Sequence, residues 1–265
     1  VTKQGVIKRT LLSEYEYQRK GGKRALSLDE GDELISVRET DGEQNILICT
    51  HEGYAICFAE TDIRPMGRDA VGVRGIKLRE GDYVIGAEVF REDAQLLSIT
   101  EKGFGRRTPL FRLNENGERK VKENGEFEYN YPVKNRGGLG IKNYEINKDK
   151  HPMKDTGAVV GIRALGPDDD VILISSDGIV IRIRANDISL RNRPALGVKL
   201  MRVADEEAKV VAFTRTEHDE SEATEEIENA PEDDIIEDDP IEEDEEILDD
   251  DDEAEEEASD EENEE

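Results

Sequence analysis

One hairpin-forming stretch recurs along this chain and limits what it can fold into. In its clearest copy, residues 171–184 read Val-Ile-Leu-Ile-Ser-Ser-Asp-Gly-Ile-Val-Ile-Arg-Ile-Arg. Two apolar runs around a turn dipeptide predict a β-hairpin, and Asp177-Gly178 suits a type I′ turn. The return strand alternates Ile179, Ile181 and Ile183 with Val180, Arg182 and Arg184, so one face is apolar and the other carries guanidinium groups. The unit recurs from Ile46 to Phe58 around Gly53 and from Leu96 to Arg107 around Gly103. A further copy, Thr2 to Arg9 around Gly5, stands without an incoming strand, as in a fragment of something longer.

Each copy belongs to a longer repeat, because each turn glycine is followed by a second segment of glycine, then a base. These segments are Gly22-Lys23-Arg24, Gly72-Val73-Arg74, Gly140-Ile141-Lys142 and Gly197-Val198-Lys199. Glu30-Gly31-Asp32 and Glu80-Gly81-Asp82 are identical triplets 50 positions apart, each leading into an apolar strand. A period near that length, with a turn signal in every copy, predicts an all-β, propeller-like array of four-stranded blades. The expected blades are about 1–39, 41–89, 91–163 and 168–213, and a disordered acidic tail follows at 214–265. The third is stretched by an insertion from Asn114 to Glu128, whose Asn116-Gly117 and Asn124-Gly125 predict a small exposed hairpin.

The formal net charge of −30 belongs to the tail alone. Residues 1–213 hold 35 bases and 35 acids, whereas 214–265 hold one arginine and 31 acids. The blade region has enough Val, Ile and Leu to bury a core. In the tail, self-repulsion and scarce apolar residues leave nothing to offset the entropy of ordering it. Cys49 and Cys57, the two cysteines, read as reduced core thiols of a cytoplasmic protein. Neither a membrane-spanning run nor a cleavable leader is visible in the sequence.

The bases fall at comparable places in successive repeats. They are Arg19, Lys20, Lys23 and Arg24 in the first, and Arg64, Arg68 and Arg74 in the second. Lys134, Arg136 and Lys142 follow in the third, then Arg182, Arg184, Arg191, Arg193 and Lys199 in the fourth. A single basic loop carries little information, but bases repeated in each blade predict a stripe around a rim that meets phosphates. No catalytic constellation emerges. His51, His151 and His218 are too scattered for a metal site, and Gly137-Gly138-Leu139-Gly140 lacks the Lys-Ser/Thr ending of a phosphate loop.

The segments Lys3 to Thr10, Leu12-Ser13-Glu14-Tyr15, Arg68 to Ile76 and Ile188-Ser189 through Lys199, in this order, carry a family resemblance. The chain resembles the C-terminal β-pinwheel of bacterial DNA gyrase A subunits over about 1–213, and the acidic tail is similar as well. The resemblance implies a non-catalytic piece that bends duplex DNA around a basic rim so that the holoenzyme introduces negative supercoils. Its implied partners are double-stranded DNA, the gyrase B subunit, plus the remainder of the A subunit, in a cytoplasmic assembly on the bacterial chromosome. No cofactor is implied for this piece; ATP and Mg²⁺ would act through parts outside it. The family's signature heptapeptide, Gln-Arg-Arg-Gly-Gly-Lys-Gly, is matched by Gln18, Arg19, Lys20, Gly21, Gly22, Lys23 and Arg24 as a degenerate box in an internal blade. Two alternatives stay open: the equivalent domain of topoisomerase IV, and a protein-interaction propeller like the WD-repeat family.

Overall fold

The structure, a computed structural model, describes residues 1–17, 20–91, 94–146, 155–166, 168–203 and 208–218. The tail expected to be disordered lies outside them, apart from its first residues.

The described residues form an all-β fold of thirteen strands. They run β1 (Val6–Ile7), β2 (Asn45–Thr50), β3 (Tyr54–Ala59), β4 (Val73–Arg74), β5 (Val84–Val89), β6 (Gln95–Thr100) and β7 (Phe104–Pro109). Then come β8 (Ile141–Lys142), β9 (Val159–Leu165), β10 (Asp169–Ser175), β11 (Val180–Arg184), β12 (Val198–Lys199) and β13 (Val210–Glu217). Two four-stranded sheets have the orders β5-β2-β3-β8 and β12-β7-β6-β9, a three-stranded sheet is β11-β10-β13, and β1 pairs β4 alone. All of these pairings are antiparallel.

The expected blade boundaries need correcting at one recurring point. The glycine-and-base segment does not join the hairpin of its own repeat but pairs with that of the preceding one. Thus β4 pairs β1, β8 pairs β3 and β12 pairs β7. The pairing is fixed by the turn glycine, whose carbonyl accepts two N–H groups from the next repeat. Gly5 accepts from Gly75 at 2.8 Å and Ile76 at 3.3 Å, Gly53 from Asn143 at 2.8 Å and Tyr144 at 2.9 Å, and Gly103 from Leu200 at 2.8 Å and Met201 at 3.2 Å.

The hairpin turns also differ from the type I′ expectation. In the 171–184 copy the Gly178 N–H donates to the Ser175 carbonyl at 3.1 Å, and Gly178 carries the positive φ of 87°. This is a three-residue loop closed by a left-handed glycine, which needs one positive φ where type I′ needs two. Gly5, Gly53 and Gly103 donate in the same way to the carbonyls of Thr2, Thr50 and Thr100. The hydroxyl three residues before each glycine locks the loop: Thr2, Thr50 and Ser175 each accept, at 3.2 Å, the N–H that follows the glycine.

Strands β2 and β6 read as continuous apolar runs because both their faces are buried. On β2, Ile46 and Ile48 pack with Ile7, Phe58, Ile76 and Val84, while Leu47 and Cys49 pack with Phe90, Leu96 and Ile162. On β6, Leu96 joins that second cluster, whereas Leu97 and Ile99 pack with Val171, Leu173 and Val210. The core therefore consists of apolar layers between successive sheets, as in a propeller. Strand β10 has the same kind of sequence, but of its apolar residues it buries only Val171 and Leu173 fully; Ile174 is exposed. Both cysteines are free and buried.

Two smaller differences follow from the hydrogen bonding. Strand β13 passes the expected tail boundary and pairs Thr214, Arg215, Thr216 and Glu217 with β10. His218 caps this extension, its Nδ1 lying 3.1 Å from the Asp170 carboxylate. The insertion is a meander with two turns, since bridges join Leu113 to Arg119 and Val121 to Phe127, with Phe111 opposite Tyr129 at its base. Gly117 and Gly125 supply the positive φ of its turns. Among the described residues, no helix is long and apolar enough to cross a membrane.

Candidate functional site

Strand pairing puts one base per junction in the same place. Arg74 lies opposite Val6, Lys142 opposite Tyr54 and Lys199 opposite Phe104, each partner being the residue after its turn glycine. β8 and β12 are edge strands of their sheets, so these side chains stand at a sheet margin. Arg74 and Lys199 are exposed and Lys142 is half-buried. Lys142 is balanced by Glu145 at 3.0 Å. Lys199 lies over the Phe104 ring, 4.6 Å from its centroid. Burial, then the charges of Lys102 and Arg202, hold its ammonium below the usual lysine value.

The bases four residues before each glycine are placed differently. The Arg136 Nε donates to the Asp62 carbonyl at 3.2 Å and its Nη1 to the Arg74 carbonyl at 2.9 Å. In the next repeat the Arg193 Nε donates to the Asn130 carbonyl and Nη1 to the Lys142 carbonyl at 3.2 Å. One repeat earlier, the Arg68 Nη1 donates to the Arg24 carbonyl at 3.5 Å. The structure thus brings the expected bases together in pairs, Arg24 with Arg68, Arg74 with Arg136, and Lys142 with Arg193. In each pair the arginine grips the backbone of its partner.

Other expected residues occupy varied surroundings. Arg24, Arg64, Lys134 and Arg184 are exposed, with no ion pair among the described residues. Arg191 is exposed, its Nε 3.4 Å from the Ser189 hydroxyl. Lys20 is exposed; Lys23 is half-buried and donates to the Glu14 carbonyl at 3.3 Å. Arg182 is drawn back into its sheet by Asp170, 2.8 Å away. Gln18 and Arg19 lie outside the described residues.

One base that belongs to the interior looks in sequence like a rim base. Arg106 is fully buried, and its Nε donates to the Ala195 carbonyl at 3.2 Å. Its Nη1 donates to the Thr108 hydroxyl, and Nη2 to the carbonyl and side-chain oxygens of Asn143. The Tyr131 hydroxyl donates to the same Asn143 side chain at 2.6 Å. Burial pushes the guanidinium below its ordinary value, and neutral oxygens stand in for a counter-charge. Neighbouring Arg107 is likewise taken up by Gln95 at 2.7 Å and the Ile188 carbonyl at 2.8 Å.

The described residues hold no cluster of three or more side chains suited to a metal ion. A cavity of about 430 Å³ is bounded by Ile7, Leu26, Leu34, Val37 and Ile46 among others, and its lining includes none of the expected rim bases. Of the expected bases, Arg74, Lys142 and Lys199 thus share one register position at successive junctions.

Known proteins resemble this chain in sequence and in fold. The sequence model of a family described as "DNA gyrase C-terminal domain, beta-propeller" matches residues 1–41, 44–91, 94–117, 128–165 and 169–217. Its matches leave out 118–127, the outer part of the meander. The A subunit of DNA gyrase from Staphylococcus aureus (strain MRSA252) is 37% identical over 228 residues, which is 85% of this chain and 23% of that protein. The chain therefore spans about a quarter of the length of the curated relatives it matches. Among solved structures, the C-terminal domain of DNA topoisomerase IV superposes with a TM-score of 0.67 at 22% identity, covering 82% of this chain and 60% of that one. A DNA gyrase A C-terminal domain superposes with a TM-score of 0.64 at 24% identity, covering 81% and 64%. At these identities the two superpositions establish the fold.

Proposed function

The chain belongs to the DNA gyrase C-terminal β-propeller family, and from that premise we propose that its sheet margins bind duplex DNA without sequence preference and bend it along the row of repeats. The observation that carries this reading is the common register of Arg74, Lys142 and Lys199 at three successive junctions. Cations repeated at one register position meet the repeating phosphates of a duplex, and such contacts position it without reading bases. Arg24, Arg64, Lys134, Arg184 and Arg191 extend the row. In a whole enzyme this part wraps DNA. Strand passage, ATP and Mg²⁺ belong to the gyrase B subunit, with the rest of the A subunit, in an assembly on the bacterial chromosome.

Arg74→Gln, Lys142→Gln and Lys199→Gln combined are expected to flatten the dependence of log affinity on log salt by about 0.9 for each phosphate no longer neutralised. Fluorescence anisotropy with two unrelated duplexes across a salt series measures this. A slope unchanged in the triple variant, or strong preference for one duplex, refutes the reading.

The acidic tail, with 31 acids after Phe213, is a tethered polyanion and competes with DNA for the same bases. Because β13 runs to Glu217 and His218 holds Asp170, the cut that isolates this effect falls after His218. Ending the chain there is expected to raise DNA affinity more at low salt than at high salt, since screening beyond a Debye length of roughly 10 Å at 0.1 M already weakens the competition. Parallel affinity curves for the full and shortened chains would leave the tail as a solubiliser.

A further inference from the structure

We infer that Arg68, Arg136 and Arg193 are positioning residues, whose guanidinium groups fix the spacing of successive rim bases and thereby the curvature imposed on DNA. This rests on the rim reading above and goes beyond it by separating the bases into two kinds.

The two better-formed examples share the same chemistry. Arg136 bridges the carbonyls of Asp62 and Arg74, and Arg193 those of Asn130 and Lys142. In both cases the acceptors stand ten residues before and two residues after the glycine of the preceding repeat. The second acceptor is the backbone of the rim base itself. Arg68 reaches the corresponding carbonyl of Arg24. A planar guanidinium presents Nε–H and Nη–H in a fixed fork, so it can hold two carbonyls at a set separation. The half-buried side chains commit these N–H groups to backbone carbonyls, whereas Arg24 and Arg74 remain exposed.

The apolar layers between sheets are non-directional and define closeness better than angle. The fork supplies direction at the outer margin, where a small rotation between repeats displaces the rim bases most. Among bases in one loop, the arginine four residues before the glycine thus governs where the preceding repeat's base stands. The exposed bases supply the charge that phosphates meet.

The test uses the complete chain with Arg136→Lys, which keeps the charge but replaces the fork by a single point donor. Val71→Cys and Leu139→Cys place labels at the exposed residue preceding the glycine on either side of this contact. Cys49 and Cys57 are buried, and burial pushes the Cys57 thiol to about 12, so labelling is confined to the introduced pair. Dipolar spectroscopy without DNA should give a distance distribution at least two-fold broader in Arg136→Lys than in its labelled parent. On a doubly dye-labelled duplex, Arg136→Lys should lower the bending signal by at least half at saturation. Affinity should stay within about three-fold, with an unchanged salt slope. An unchanged distance distribution overturns the inference. So does a salt slope reduced by about 0.9, which would make Arg136 a direct phosphate contact. A parent that binds no duplex refutes the rim reading alone, and the label distances then decide whether Arg136 holds the repeats. Arg193→Lys with labels at Leu139 and Leu190 repeats the measurement one junction on, should the first variant fold poorly.

Discussion

Arg106→Ala is expected to lower unfolding free energy by about 4 kcal/mol, the largest effect of any single base in the chain. Burying a cation without a counter-charge is costly, which alone would make its removal favourable; the hydrogen bonds decide otherwise. The substitution leaves the Ala195 and Asn143 carbonyls facing a void, together with the Thr108 hydroxyl. Each buried acceptor left unsatisfied costs about 1–3 kcal/mol, and the vacated volume adds a cavity term. Arg106→Lys retains the charge with one donor point and should fall between, at about 2–3 kcal/mol, because most of those acceptors still lose their partner. Urea denaturation of the three proteins at constant slope measures the series. A loss below about 1 kcal/mol in Arg106→Ala would mean that water replaces the guanidinium, and that the buried network does not hold these repeats together.

The second large effect comes from a pair of equivalent glycines. Gly103 and Gly178 close the same kind of loop, with φ of 78° and 87°. Either alanine variant therefore meets the left-handed penalty, about 1–2 kcal/mol. Their surroundings differ completely. A Cβ at Gly103 would lie 2.2 Å from the Met201 carbonyl oxygen, whereas at Gly178 it would meet nothing within 4 Å. Gly103→Ala must push away the segment whose Leu200 and Met201 N–H groups bind the Gly103 carbonyl, so it should cost about 4 kcal/mol or more in total. Gly178→Ala should cost only the backbone penalty. Denaturation midpoints of the two variants, measured side by side, separate strain from collision. Equal losses would show that the junction gives way around a methyl group.

The repeat and its all-β character were legible in the sequence because turn glycines and base-bearing segments kept their order from copy to copy. The pairing partner of the base-bearing segment was not. Gly72-Val73-Arg74 has the same composition whether it completes its own sheet or its neighbour's, and only the double hydrogen bond to the preceding turn glycine decides. The turn type was recoverable in principle from Thr2, Thr50, Thr100 and Ser175, each three residues before its glycine, a pattern that Asp177-Gly178 alone conceals. The two classes of base were beyond sequence reasoning. Arg74 and Arg136 are both arginines in glycine-containing loops, and what separates them is a carbonyl that belongs to another repeat. Arg106 was hidden for a related reason: Arg106-Arg107 continues a return strand just as Arg182 and Arg184 do, but sheet packing closes over one pair and leaves the other nearer the surface.

The lending of β4, β8 and β12 to the preceding hairpins means that the unit copied in the sequence is not the unit that folds. The second and third copies each give away one strand and receive another, so inserting or deleting such an internal copy preserves every hydrogen-bonding obligation along the array. An array built this way can change its length, and with it the arc it subtends, without any residue at a junction having to change.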